Sequence, residues 1–308
     1  MNLIDRDHRL VRQCDYKFDP RIKKSRMKKI LVPCDFSKSA IDAYRQALDI
    51  SAQSNGEIYL LHVIEPPLMN DTVLMPTLNF EEELMKELKG KAQDQFKKLK
   101  SDNKTETKVS YDIQYGAVSS SILESIEKNK IDLIVMGSTG ASGFKEYFLG
   151  SNAERIVRKS PIPVLVVKKY NDLPVKNIIF PNNLDMDYQE DLIMKVKDLQ
   201  EFFKAKLHIV YVNTPANFIV DSVTRQKLEE FAERFMFKNY TINIFNHLSL
   251  ETGMLEFSNM IHGNLIAMGT HGRRGINHLM NGSIAEDLVN HSNTLVWTYT
   301  MKNESVSA

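Results

Sequence analysis

Short apolar runs recur along this chain, separated by longer stretches in which apolar residues return every three or four positions. Residues 30–32, 58–64, 133–136 and 164–167 are runs of the buried-strand type, and 108–115 alternates as a strand does. Between them, Ala40, Tyr44, Ala47 and Leu48 share one helical face after Ser37, a residue able to cap that helix. A long charged helix is predicted over 80–100, another over 120–128, and a further one from Gly150. The rest of the chain repeats the plan. Strands are predicted at 178–180, 207–212, 241–245, 265–268 and 295–298, and helices at 192–203, 224–237 and 255–261. Strands that alternate with helices build right-handed βαβ units and a parallel sheet.

The repetition extends to single residues. Gly137, Gly140, Gly143 and Gly150 return 132 residues later as Gly269, Gly272, Gly275 and Gly282, and each fourth glycine is followed by a serine, Ser151 or Ser283. The chain has only 13 glycines and eight of them lie in these two loops, so chance does not explain the match. Ala153, Ile156 and Val157 match Ala285, Leu288 and Val289 as one helix face seen twice. The openings of the halves match too, 29–35 with 177–183 and 58–63 with 207–212, at an offset of 148 to 149. The second half is therefore shorter in its middle, where the first carries a Pro- and Met-containing stretch at 66–80 with Met69 and Met75. A lid or a plain surface loop fits that stretch.

The expected organisation is a basic extension at 1–26, a first domain at 27–169, a linker at 170–176, a second domain at 177–300 and a tail at 301–308. Residues 1–29 hold ten Lys or Arg against four Asp, a balance of +6. This suits a solvated arm or a tether to an acidic partner. The whole chain has a formal charge of +1, which argues against nucleic acid as its main partner. With 43% hydrophobic and 26% charged residues the composition is that of a globular protein with a real core. Cys14 and Cys34 have no paired spacing, and no run is long enough to span a bilayer. The start of the chain is charged and lacks an apolar signal segment, so a cytoplasmic location is expected.

Glycine loops between a buried strand and a helix have a physical use. Phosphate oxygens need several N–H donors at close range, glycine lets the backbone approach, and a helix N-terminus adds partial positive charge. The same glycines can serve as turns and the serines as helix caps, but two loops sharing one nine-residue gap favour the phosphate reading. No Gly-Lys-Ser/Thr follows, so neither is a Walker A loop. No catalytic residue set and no metal-ligand spacing appears among the histidines. His62 ends a strand and reads as a satisfied structural residue matched by Tyr211. His271, inside the second loop, reads either as a phosphate contact or as a solvent-exposed residue, Lys145 could reach a phosphate, and Trp297 belongs to core or interface.

The pattern Gly-x-x-Gly, nine residues, Gly-Ser resembles the ATP-binding signature of the universal stress protein family. It stands here as Gly137, Gly140, Gly150, Ser151 and as Gly269, Gly272, Gly282, Ser283. Pro33, Asp35 and Ser37 and the strand end at 61–64 are similar to that family as well. The resemblance implies an α/β fold: two tandem doubly wound domains, each with a five-stranded parallel sheet whose first and fourth strands are neighbours, packed as a pseudo-dimer. It implies that Pro33, Asp35 and Val63 contact adenosine while Met136, Gly137, Gly140, Gly150, Ser151 and Asn152 hold ribose and phosphates. ATP, with Mg²⁺ or without it, is the expected ligand. The second half departs at Asn183, which stands for Asp35 and brings no charge, while Arg273 and Arg274 make its loop more basic, which favours an anion; ATP is expected in both halves, with Gly269, Gly272, Gly282 and Ser283 holding the second. The implied role is a stress-response regulator whose contacts with a protein partner change with bound nucleotide, with the halves paired within the chain and a homodimer open to it. A slow ATPase or adenylyl-transfer enzyme, and a nucleotide-independent adaptor or scaffold, are the competing readings.

Overall fold

The computed structural model describes residues 27–66, 77–103, 105–140, 149–184, 189–271, 282–292 and 294–301. The basic extension at 1–26, Met69 and Met75, Gly143, Lys145, Gly272, Arg273, Arg274 and Gly275, and residues 302–308 lie outside the described residues.

The first half runs β1 (Lys29–Pro33), α1 (Lys38–Ser54), β2 (Glu57–Ile64), α2 (Thr77–Asp102), β3 (Lys108–Tyr115), α3 (Val118–Asn129), β4 (Leu133–Gly137), α4 (Ser151–Lys159) and β5 (Val164–Val167). The second runs β6 (Asn177–Pro181), α5 (Glu190–Phe203), β7 (Lys206–Asn213), α6 (Asp221–Arg234), β8 (Tyr240–Asn246), α7 (Leu250–Met260), β9 (Leu265–His271), α8 (Gly282–His291) and β10 (Leu295–Met301), with a single 3-10 turn at Pro215–Asn217. All ten expected strands are present. The helix expected over 224–237 sits three residues earlier, because Met236 turns into the left-handed region at φ 50° and Phe237 folds back into the core. The helix expected from 255 starts at Leu250, where the Ser249 side chain accepts from the Thr252 N–H and caps it. β10 runs one residue past the expected boundary at 300, and Met301 pairs with His271.

The strands form one sheet in the order β3-β2-β1-β4-β5-β10-β9-β6-β7-β8. Within each half every pairing is parallel, and β1 lies beside β4 as β6 lies beside β9. The halves meet at β5 and β10, which pair antiparallel as Val166–Val296, Leu165–Trp297 and Val164–Thr298. In the sequence repeat Val164 matches Val296, so Leu165 matches Trp297 and Val166 matches Thr298. Val164 therefore faces the counterpart of Val166, Val166 faces that of Val164, and Leu165 faces its own counterpart. This is an isologous contact with its two-fold axis through the Leu165–Trp297 pair. The expected pseudo-dimer is thus a single ten-stranded sheet.

Both cores cross the junction. On one face Tyr44, Val135 and Leu165 share a cluster with Trp297, Phe180 and Phe231; on the other Ile134 and Ile156 share one with Ile266 and Leu288. Side chains reinforce the seam. The Thr270 and Thr300 hydroxyls both donate to the Val157 carbonyl, at 3.3 and 3.1 Å, and Lys168 Nζ donates to the Asn290 carbonyl at 2.6 Å.

Trp297 is the chain's one tryptophan and is 0% exposed on the seam. A sheet with shared cores unfolds as one unit. In urea, Trp297 fluorescence and far-UV circular dichroism should follow one transition with a common midpoint. A fluorescence change that precedes loss of helix signal would show that the halves separate before they unfold.

Candidate functional site

At the carboxyl end of β1 the chain makes a tight turn into α1. The Cys34 N–H donates to the Leu61 carbonyl at 2.8 Å, keeping β1 beside β2 past its last ladder residue. Phe36 then takes a left-handed conformation at φ 62°, which costs a bulky residue roughly 1–3 kcal/mol. The turn recovers this through two bonds. The Asp35 carboxylate accepts from the Ser37 N–H at 3.0 Å, and Ser37 Oγ accepts from the Ala40 N–H at 3.2 Å, capping α1. Phe36 also packs against His62 and Phe96, with ring centres 4.9 and 4.8 Å away.

The end of β4 comes down beside this turn. A Cβ on Gly137 would lie 2.8 Å from the Ser39 carbonyl carbon, so only glycine fits there. Ser39 Oγ donates to the Thr139 carbonyl at 2.5 Å, which ties α1 to the start of the glycine loop. The Gly150 N–H donates to the Ser138 carbonyl at 2.7 Å and brings the two ends of the loop together. α4 then begins with Gly150 as its N-cap and no side-chain cap. The N–H groups of a first helical turn have no partner within the helix, so this end carries donors and partial positive charge.

These pieces enclose a cleft of about 140 Å³ that is partly open to solvent. It lies over the neighbouring carboxyl ends of β1 and β4, where the connections depart in opposite directions and doubly wound sheets bind ligands. The nine first-half residues singled out from the sequence, Pro33, Asp35, Val63, Met136, Gly137, Gly140, Gly150, Ser151 and Asn152, all line it. Cys34, Ala40, Leu61, His62, Val118, Ile122, Thr139 and Ala153 complete the wall. Of these, Val118 and Ile122 form an i, i+4 apolar pair, the signal that could have found them, but Val118 lies before the helix expected over 120–128. Ala40 and Cys34 gave no chemical signal in the sequence, because their contribution is small size and backbone position.

Asp35 is the one carboxylate among the described residues of the wall, and a Cβ on Gly140 would approach its Oδ2 to 3.2 Å. His62 Nδ1 stands 2.7 Å from the Cys34 carbonyl, which can only accept, so Nδ1 carries the proton and Nε2 of the neutral ring is an acceptor. The structural histidine read from the sequence is thus satisfied, and it is also part of the wall. Burial pushes the Cys34 thiol up to about 12. Among the described residues no group of three or more His, Cys, Asp or Glu comes together as a metal site.

In the second half Gly269 lies in β9, and Gly282 and Ser283 open α8. Gly272 lies outside the described residues. Asn183 stands at the end of β6 as Asp35 does at the end of β1, and its Oδ1 accepts from Gln189 Nε2 at 3.0 Å.

The universal stress protein family model matches residues 27–168. Universal stress protein MJ0531 of Methanocaldococcus jannaschii is 35% identical over 143 residues, covering 46% of this chain and 82% of its own length. Universal stress protein Slr1230 of Synechocystis is 26% identical over 296 residues, 89% of this chain and 100% of its own length. The crystal structure of a universal stress protein from Archaeoglobus fulgidus covers 90% of this chain and 99% of its own, with a TM-score of 0.65 at 18% identity, a likeness of fold. The chain belongs to the universal stress protein family, in a tandem arrangement.

The buried thiol gives a direct check on the turn. A shift of the Cys34 pKa from 9.0 to about 12 lowers the thiolate fraction near neutral pH about a thousandfold. In a Cys14→Ser background, iodoacetamide at pH 8 should label native Cys34 at least a thousand times more slowly than free cysteine, and quickly in urea. Rapid labelling of the folded protein would contradict the turn described above.

Proposed function

We propose that this member of the universal stress protein family binds an adenine nucleotide, ATP, in the first-half cleft, and that occupancy sets its contacts with a protein partner during stress. One observation carries the reading: nine residues scattered between positions 33 and 152 converge on one open cleft at the β1–β4 switch point. The cleft offers what a nucleotide needs in three zones. Pro33, Leu61 and Val63 give an apolar wall for a base. The Asp35 carboxylate is exposed and offers its acceptors to sugar hydroxyls. Gly137, Gly140 and Gly150 let backbone approach, and the start of α4 at Ser151 and Asn152 presents N–H groups to phosphate. Ser151 adds a hydroxyl. Mg²⁺ enters with the nucleotide, on its phosphates.

A regulatory role fits this wall better than fast chemistry. Phosphoryl transfer needs a positioned base and metal ligands around the phosphates. Among the described residues of the wall the one carboxylate is Asp35, and its Oδ1 is held by the Ser37 N–H on the turn side.

Calorimetric titration of nucleotide-free protein with Mg·ATP tests the reading. Binding is expected. Asp35→Ala should weaken it about 10-fold or more, since a lost charge-assisted hydrogen bond is worth about 1.5–3 kcal/mol. Gly140→Val should abolish it by filling the space beside Asp35, with circular dichroism unchanged. Absence of heat with folded wild-type protein would overturn the proposal and favour a nucleotide-independent adaptor.

A further inference from the structure

The repeat supplies an internal comparison, because each wall residue of the first cleft has a counterpart in the second half. The counterparts are fixed by bonds as well as by sequence. The Asn182 N–H donates to the Val210 carbonyl at 2.9 Å as Cys34 donates to Leu61. Asn264 Oδ1 accepts from the N–H groups of Lys176 and Asn177 as Asp132 Oδ2 accepts from those of Lys28 and Lys29. Strand β7 follows β2 at an offset of 149, and α7, β9 and α8 follow α3, β4 and α4 at 132.

Four of these counterparts change the cleft. Asp35 becomes Asn183, a neutral group whose oxygen is already engaged by the Gln189 amide, and Gln189 is itself only 3% exposed. Ala40, at the third position of α1, becomes Leu192, at the third position of α5. Leu192 is fully buried, and its Cδ2 lies 2.8 Å from where a Cβ on Gly269 would stand, so it covers the face of that glycine. His62 becomes Tyr211, whose hydroxyl donates to the Asn217 carbonyl at 2.7 Å within the connection that follows β7. Asn152, half-buried in the first wall, becomes Ile284, which is 5% exposed and packed in the core with Met254 and Val212.

Every change replaces a charged, small or polar wall residue by one that is neutral, larger or apolar. The carboxylate that would meet a ribose is gone, the wall beside the glycine is filled, and a side chain at the helix N-terminus has turned into core. Resting on the reading above, we infer that the chain holds one nucleotide, in the first half, and that the second half is a closed copy that serves as its fixed structural partner. Gly269 is then closely packed: a Cβ there would meet the side-chain ends of Leu192 at 2.8 Å and Met301 at 3.3 Å, which would have to shift. Gln189 and Leu192 set this specificity as much as Asn183 does.

Equilibrium dialysis of the full chain against saturating Mg·ATP, with photolabelling by 8-azido-ATP, tests the inference. The expected result is one nucleotide per chain, labelled peptides confined to residues 27–168, and an affinity within twofold of wild type in Asn183→Ala. Two nucleotides per chain would overturn the inference and leave the first-half reading intact. Label confined to residues 177–301, or loss of the single site in Asn183→Ala, would place the nucleotide in the wrong half and overturn both. No binding would also overturn both. The stoichiometry is read on unmutated protein, so a variant that fails to fold does not decide the result.

Discussion

The antiparallel contact between β5 and β10 is the constraint on which the rest of the molecule depends. A parallel five-stranded sheet ends in an edge whose N–H and C=O groups need partners and whose flanking apolar face needs cover. Here the last strand of each half closes the other. Leu165 and Trp297 lie at the centre of that contact, and residues on either side exchange places across it. The exchange makes the seam as dry as any other part of the sheet. Val164, Val166, Val296 and Thr298 are all essentially buried, and the threonine hydroxyl donates back to the Val164 carbonyl at 3.5 Å. Covering a large hydrophobic area on both faces is worth about 25 cal/mol per Å². The halves are therefore one cooperative body and not two beads on a linker.

That seam also sets the position of the cleft. With β5 committed to the junction, the strand order within the half is fixed as β3-β2-β1-β4-β5, and the crevice opens between β1 and β4. Everything in the wall follows from bringing those two strand ends close together. Ser39 touches the chain at Gly137, and its hydroxyl holds Thr139. The left-handed turn at Phe36 aims Asp35 at the loop, and the equivalent turn at Leu184, with φ 64°, repeats it in the second half. A bulky residue in that conformation twice over shows that the β1–α1 geometry is imposed by the close approach of strand and helix.

Most of the fold was legible because its signals are periodic. Runs such as 133–136 have one reading when both faces of a sheet are covered, and the repeat doubled the information at every strand. The helix ends were less legible for a physical reason. Phe237 continues the apolar rhythm of α6, yet it reaches the core from beyond the helix, and rhythm does not distinguish the two. Of the wall, the residues that stand in motifs were legible. Ala40 and Cys34 were not, since nothing about an alanine on a helix face says that its smallness opens a cleft. The single-sheet junction lay beyond the sequence as well, because strand partnership at an edge depends on which surfaces meet in three dimensions.

The two halves show why a motif and a site are different things. Gly269 and Gly137 are the same residue at the same point of the repeat, but they are held by different contacts. Gly137 is pressed against the backbone of α1 beside an open cleft, whereas Gly269 is pressed against the side chains of Leu192 and Met301. The backbone contact forbids a Cβ at Gly137, whereas at Gly269 the side-chain ends of Leu192 and Met301 would have to shift to admit one. The same glycine therefore answers to different neighbours in the two halves, and the pattern alone does not carry the chemistry that a resemblance attaches to it. The residues that discriminate are those without a packing reason to be what they are. Asp35, exposed and charged at the mouth of the first cleft, is one. Its counterpart Asn183, turned toward Gln189, shows what the position becomes when the fold alone decides.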